Sequence, residues 1–294
     1  MKENTAGIVG FGTMGRGLAR TLAGAGIEAL VMDRSPEKAL EALKLLEANL
    51  DQEIARWGIT QSEKKAILSR IKIVERIEEL SDVPFVFEAV ADERELKRGV
   101  FWGLDQVCPP ETILITSTST LSVSDLAGAT RRPDKVIGMH FQNPVHKMKL
   151  VEVVRGLKTS DATLKKVMNL AETLGKTGIE VYESPGYVTT RIILPLINEA
   201  ICVVFEGVAS AEDVDRSMVL GFGFDVGPLT LADRMGLDEV RRWNRHLYNE
   251  TGDHKFLPCA LLRKKIRENK LGVKTGEGFF KYDKMGRKIQ GGGK

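Results

Sequence analysis

Gly10-Phe-Gly12-Thr-Met-Gly15 closes an apolar run, GIVGFG (7–12), and opens a helical pattern from Met14 to Leu22; a second short apolar run, EALVMD (28–33), follows. Strand, glycine turn, helix and strand in that order make a βαβ unit, which calls for a parallel sheet. The glycines narrow the choice further. Gly10 permits a tight turn, Gly12 lets backbone N–H groups approach a pyrophosphate at the helix N-terminus, and Gly15 lets helix and strand pack closely. Asp33 ends the second run, 21 residues after Gly12. A carboxylate there accepts from ribose hydroxyls and repels a 2′-phosphate, so NAD is favoured over NADP, with Arg34 beside it pulling the other way. The glycines alone are a weak signal; the strand, helix and acid around them make a dinucleotide site the reading.

The pattern then extends to two domains. Ser35-Pro36 gives an N-cap and a first-turn proline. From there to about Ser69 the chain is helical and charged, broken at Gly58-Ile59-Thr60, which predicts an inserted helical pair. Strand-like runs resume at IKIV (71–74), FVFEAV (85–90), TILITS (112–117), KVIGMHF (135–141) and KLVEVV (149–154). A last helix and strand, KKVMNLAETLG and IEVYE, end at Ser184-Pro185-Gly186, the expected domain boundary. Beyond it nearly everything reads as helix, with Ser210 at capping-box spacing from Asp213 and Gly236 as a C-cap. The fold class is therefore α/β over 1–185, with a helical-hairpin insertion, followed by a smaller all-α domain over 186–294.

Bulk properties exclude several classes. Apolar residues at 43% allow a sizeable core, and a net charge of +3 is too small to imply nucleic acid as a partner. Cys108, Cys202 and Cys259 are scattered, form no metal-ligand spacing, and are odd in number, which favours a reducing, cytoplasmic setting without bound metal. MKENTAG runs into the first strand and leaves no room for a signal peptide. The most apolar segment, 192–205, carries Asn198 and Glu199 and is too short to cross a membrane; it reads as a buried helix, with Pro195 near its first turn or at a kink, and as a subunit contact. The terminal GGGK reads as a frayed tail.

Two histidines and an acid stand out in HFQNPVHKMKLVEVV (140–154). His140 ends a strand, because Asn143-Pro144 forces a turn, and strand carboxyl ends are where open α/β sheets bind ligands. Glu152 sits inside an apolar run, where a carboxylate is costly unless paired. Side by side, the two would form a base with its orienting carboxylate, suited to taking an alcohol proton as hydride leaves. Otherwise His140 bonds a loop and Glu152 faces solvent. His146, among Lys147 and Lys149, reads as solvated, and His246 and His254 receive no role.

At a finer level the chain resembles the short-chain L-3-hydroxyacyl-CoA dehydrogenases, including 3-hydroxybutyryl-CoA dehydrogenases. GFGTMGRGLA (10–19), FEAVADERELK (87–97), STSTLS (117–122), HFQNPVHKMKLVEVV (140–154), SPGYVTTR (184–191), GPLTLADRMGLD (227–238) and KTGEGFFKY (274–282) carry the resemblance. It implies a Rossmann-like N-terminal domain and a helical C-terminal domain through which a homodimer forms. The implied reaction is reversible oxidation of a 3-hydroxyacyl-CoA with NAD. The implied catalytic residues are His140 as base, Glu152 orienting it, Ser119 on the substrate oxygen and Thr190. Asp33, Asp92, Lys97, Ser117 and Asn143 join Gly10, Gly12, Thr13, Met14 and Gly15 on the cofactor side. The insert at 36–70 resembles the arm that touches CoA. Three positions depart from the usual pattern: Thr190 and Ser117 replace asparagines, and Gln142 replaces the commoner phenylalanine. A free hydroxy acid as substrate, or NAD binding with little catalysis, are the competing expectations.

Overall fold

The computed structural model describes residues 4–119 and 121–289; the expected frayed tail lies outside them. The chain divides into two compact units, one ending at Tyr187 and the other beginning at Val188.

The first unit starts with β1 (Thr5–Val9), α1 (Thr13–Gly24) and β2 (Glu28–Met32). The inserted pair follows as α2 (Pro36–Ala55) and α3 (Gln61–Ser69). Ser35 caps α2 by accepting from Lys38 N, and Thr60 with Glu63 forms a capping box at α3. Then come β3 (Ile71–Ile73), β4 (Phe85–Glu88), α4 (Arg94–Val107), β5 (Ile113–Thr116), α5 (Val123–Ala127), β6 (Val136–Phe141), β7 (Leu150–Arg155), α6 (Asp161–Thr173) and β8 (Thr177–Tyr182). All eight strands form one sheet in the order β3-β2-β1-β4-β5-β6-β7-β8. The first six are parallel, as βαβ units require. The expected parallel pattern stops at β7, which runs antiparallel to β6 and pairs in parallel with β8. The loop between β6 and β7 is too short for a crossover, so the chain can only turn back beside the strand it left.

Apolar side chains cover both sheet faces. Ile8, Val31, Phe87, Ile115, Ile137 and Val153 pack with Leu18 and Leu22 of α1 on one side. Val86, Leu114, Val136 and Val154 pack with Phe101 and Leu104 of α4 on the other. The strands read as continuous apolar runs because each is buried twice.

The second unit is helical: α7 (Thr189–Phe205), α8 (Ala211–Phe222), α9 (Pro228–Met235), α10 (Leu237–Thr251) and α11 (Ala260–Arg267). Leu194, Ile197, Ile201, Leu229, Val240, Leu247 and Leu262 form its core. Pro195 lies in the interior of α7, because the helix starts earlier than the apolar run suggested. Ser210 caps α8 by accepting from Asp213 N. Asp233 is buried and accepts from Phe279 N and Phe280 N at 2.9 Å and from the Tyr282 hydroxyl at 3.0 Å, which fastens the last described segment to α9. Burial pushes its carboxyl up, and those donors pull it back.

At Gly10 and Gly15, between β1 and α1, the backbone leaves no room for a side chain. A Cβ on Gly15 would collide with the Gly10 carbonyl oxygen, and Gly10 itself sits at φ +97° with Ala89 2.7 Å from where its own Cβ would lie. Gly15→Ala must therefore part helix from loop, at a cost of about 1–3 kcal/mol. Its expected signature is a melting temperature lower by several degrees, read by calorimetry. An unchanged melting temperature would mean that this approach is not under compression.

Candidate active site

β1 and β4 are neighbours in the sheet, but their crossovers leave in opposite directions, and a crevice opens there at the strand carboxyl ends. The glycine turn borders it. Gly10 N donates to Met32 O at 2.8 Å, closing the turn onto β2. Gly12 is the N-cap of α1 and supplies no side-chain cap, so the first N–H groups of the helix, from Thr13, Met14 and Gly15, are available to an anion. Nothing lies within 4 Å of where a Gly12 Cβ would point. Asp33 stands just past β2, where its Oδ2 accepts from Phe11 N at 2.7 Å and its Oδ1 from Arg34 N at 2.7 Å. The carboxylate thus braces the glycine turn. An uncapped helix end, an open face at Gly12 and a carboxylate at the second strand's end together fit a dinucleotide.

The end of β4 carries a charged cluster of Glu88, Lys97 and Asp92, of which Glu88 was not anticipated. Glu88 and Lys97 are 0% and 1% exposed, and their Oε1 and Nζ lie 2.7 Å apart. Thr116 Oγ1 donates to Glu88 Oε2 at 2.9 Å, and Val90 N to Oε1 at 2.8 Å. Burial pushes the Glu88 carboxyl up, while Lys97, Thr116 and Val90 pull it down. Lys97 also reaches Val90 O at 3.3 Å and Asp92 Oδ1 at 3.3 Å. Lys97 thus makes two hydrogen bonds, to Glu88 and Val90, and one ion-pair contact, to Asp92. Ser117 is buried too, its hydroxyl donating to Glu88 O at 2.9 Å and so tying the end of β5 to β4.

Farther along the same edge, the register of β6 on β7 sets His140 directly opposite Glu152. Opposite residues of an antiparallel pair project to the same face. The imidazole Nδ1 and Glu152 Oε2 are 2.6 Å apart, with the residues 5% and 0% exposed. A contact that short between a ring nitrogen and a carboxylate needs a proton between them. Nδ1 therefore carries hydrogen, and in the neutral ring Nε2 holds the free lone pair. Tyr187 packs its ring 5.3 Å from the imidazole centroid, tilted by 54°. Its backbone takes φ +48°, and its hydroxyl donates to Leu121 O at 3.4 Å. Burial pushes its phenol far up, which keeps the ring neutral.

The remaining expected residues are less closely joined. Ser119 is half-buried just past β5, with no hydrogen bond to His140 or Glu152 among the described residues. Asn143 is exposed in the turn after β6, ahead of a cis peptide to Pro144. Thr190 belongs to the second unit, buried in the first turn of α7. His146 departs from expectation: it is half-buried, not solvated, and its Nε2 lies 3.3 Å from Glu53 Oε1 of α2. That separation is within ion-pair range but not aligned as a hydrogen bond.

Glu88 and Tyr187 did not emerge from the sequence as site residues. The first could have been found, since an acid within FVFEAV is the same signal as the acid within KLVEVV. The second had none beyond its place in SPGYVTTR.

With this geometry in view, comparisons with known proteins place the chain. The family model described as "3-hydroxyacyl-CoA dehydrogenase, NAD binding domain" matches residues 5–184, and that for the family's C-terminal domain matches residues 186–282. A probable 3-hydroxybutyryl-CoA dehydrogenase of Bacillus subtilis is 45% identical over 94% of this chain and 96% of its own length. The 3-hydroxybutyryl-CoA dehydrogenase of Clostridioides difficile is 42% identical over 94% and 99%. Among solved structures, the (S)-3-hydroxybutyryl-CoA dehydrogenase PaaH1 of Ralstonia eutropha superposes with a TM-score of 0.87 at 40% identity, covering 96% of this chain and 99% of that one. The NAD-binding fingerprint, the eight-stranded sheet and both family models agree: the chain belongs to the 3-hydroxyacyl-CoA dehydrogenase family.

Proposed function

We propose that this protein catalyses the reversible NAD-dependent oxidation of a short-chain L-3-hydroxyacyl-CoA to the 3-ketoacyl-CoA, with His140 as the general base. The observation that carries the reading is the buried 2.6 Å contact between His140 Nδ1 and Glu152 Oε2 at the ligand-binding edge of the sheet. NAD, when bound, takes the hydride released from the substrate's third carbon. His140 Nε2 takes the hydroxyl proton in the same step and returns it to the ketone oxygen in reverse. Glu152 holds the ring in the tautomer that leaves Nε2 open and stabilises the imidazolium as it forms. The Tyr187 ring restrains the imidazole and keeps water from that side. The short-chain assignment follows the relatives named for 3-hydroxybutyryl-CoA.

Ser119 is assigned to steer the substrate hydroxyl, and Thr190 to hydrogen-bond the substrate in place of the usual asparagine. On the cofactor side, Gly10, Gly12 and Gly15 with the N–H groups of Thr13 and Met14 hold the pyrophosphate, and Asp33 takes the ribose. Asp92, Ser117 and Asn143 complete that set. Lys97 hydrogen-bonds Glu88 and Val90 and lies in ion-pair range of Asp92, so we assign it to the cofactor side together with Asp92. The α2–α3 arm is assigned to the CoA moiety. A homodimer formed through the second unit fits Phe205, Val208, Leu220 and Phe222, which leave large apolar side chains exposed there. No helix among the described residues is long and apolar enough to cross a membrane. Three free thiols fit a reducing, cytoplasmic setting.

His140→Gln is expected to lower kcat by on the order of a hundred- to ten-thousandfold while NAD affinity holds, measured by cofactor absorbance with acetoacetyl-CoA. Turnover at the wild-type rate would remove His140 from the chemistry. Response to acetoacetyl-CoA but not to free acetoacetate tests the substrate class in the same assay.

Asp33→Ala removes the ribose acceptor and also releases Phe11 N, so NAD binding weakens for two reasons. The ratio of NAD to NADP efficiency isolates the first. It should fall toward unity, and an unaltered ratio would count against the ribose contact.

Leu220→Glu with Phe222→Glu should convert a dimer to monomer in sedimentation velocity. Retention of the wild-type mass would place the contact elsewhere.

A further inference from the structure

The loop joining β6 to β7 connects the proposed base to its orienting acid, and a charged cluster not used in the reaction lies against it. Arg20 projects from α1 and binds Glu53, near the far end of α2, through two parallel contacts. Nη1 donates to Oε1 at 2.6 Å and Nη2 to Oε2 at 2.5 Å. Bidentate pairing of this kind fixes direction as well as distance. His146, in the β6–β7 loop, sets Nε2 3.3 Å from the same Oε1. Three elements meet in one cluster: the helix that begins at the glycine turn, the inserted arm, and the loop between His140 and Glu152.

The loop is anchored on its other faces. Val145 is buried against α1, where a Cβ on Gly17 would lie 2.7 Å from its Cγ2. Lys176 Nζ donates to Val145 O at 2.5 Å and Met148 O at 2.8 Å. Burial and the nearby Arg20, Lys147 and Lys176 charges push His146 down to about 4. The ring is neutral at ordinary pH, so Glu53 is left to Arg20.

The arm does not need this cluster to stay folded. Ala39, Ala42, Leu46, Leu50 and Ile67 bury its inner face in the main core, and Lys64 bridges α2 and α3 through Glu47 and Asp51 at 3.1 and 2.7 Å. The bidentate Arg20–Glu53 pair adds a fixed direction for the arm's hairpin end relative to α1.

We propose that Arg20 and Glu53 form a positioning clamp that sets the arm against α1, beside the β6–β7 loop, and that the clamp governs affinity for the nucleotide end of the thioester substrate. The inference rests on the assignment of the arm to CoA made above. Neither residue touches reacting atoms; both act through the arm.

The test compares acetoacetyl-CoA with acetoacetyl-N-acetylcysteamine, which carries the same reacting group without the nucleotide. In the wild-type protein the CoA ester should show the lower KM. Glu53→Gln should raise KM for acetoacetyl-CoA roughly three- to tenfold, with kcat and the KM of the truncated thioester held. The exchanged pair Arg20→Glu with Glu53→Arg should recover the low KM. An unchanged KM in Glu53→Gln, or an equal rise for both thioesters, would overturn the clamp while leaving the CoA assignment standing. Equal KM values for the two thioesters in the wild-type protein would instead overturn the assignment on which the clamp rests.

Discussion

The antiparallel turn of β7 back along β6 is the constraint on which the candidate site depends. A parallel strand in that place would arrive through a crossover and start at the opposite edge of the sheet. The reversal puts Glu152 in register with His140, on the same face. Side chains alternate along a strand, so a slip of one residue would send Glu152 to the other side and leave both groups buried without partners. Burial enforces the register: Met139, Val151 and Val153 must face the core for the acid and the imidazole to meet. The same apolar packing that stabilises the sheet therefore orients the base.

Glu88, Glu152 and Asp233 show how the partner of a buried acid decides its use. Each is almost fully enclosed, where an unpaired carboxylate is strongly disfavoured. Glu88 meets an ammonium, a hydroxyl and a backbone N–H, a set that holds two strand ends and Asp92 in place. Asp233 meets two backbone N–H groups and a phenol, and it fastens a chain segment. Glu152 meets an imidazole, the one of these partners with a second ring nitrogen able to accept a proton while the first stays bonded to the acid. The first two arrangements are architectural, and the third is poised for chemistry. Removing Lys97 from Glu88 would leave a buried charge and unsettle the cofactor edge without touching the reacting atoms.

Much of this was legible in the sequence because it is written in local pattern. Doubly buried strands read as apolar runs, Ser35 and Ser210 mark helix starts, and the glycine motif marks a turn that admits no Cβ at Gly10 or Gly15. The pairing of His140 with Glu152 could be posed but not decided, because strand direction depends on which neighbour the chain turns toward. His146 was misread for a related reason. Its sequence neighbours are lysines, but its spatial neighbours come from α1 and α2, more than ninety positions earlier in the chain. The resemblance put Lys97 on the cofactor side, and the fold adds its pairing with the buried Glu88, which no local pattern showed. The resemblance supplied residue roles that spacing could not, for Ser119 and Thr190 above all.

The segment from Gln142 to Lys149 links these levels. It ties the proposed base to its acid, rests on α1 through Val145, hangs from Lys176 by two carbonyls, and meets the arm through His146. A free loop of that length would let the ends of β6 and β7 fray, and the proton-transfer geometry would blur with them. A catalytic pair must be held to within a fraction of an ångström, and supporting contacts around it do that holding. Anchoring the loop on the helix that starts at the glycine turn gives cofactor edge and base a common frame. A displacement of α1 would therefore be felt at both, which is why close packing at Gly15 and Gly17 matters to the chemistry as well as to the core.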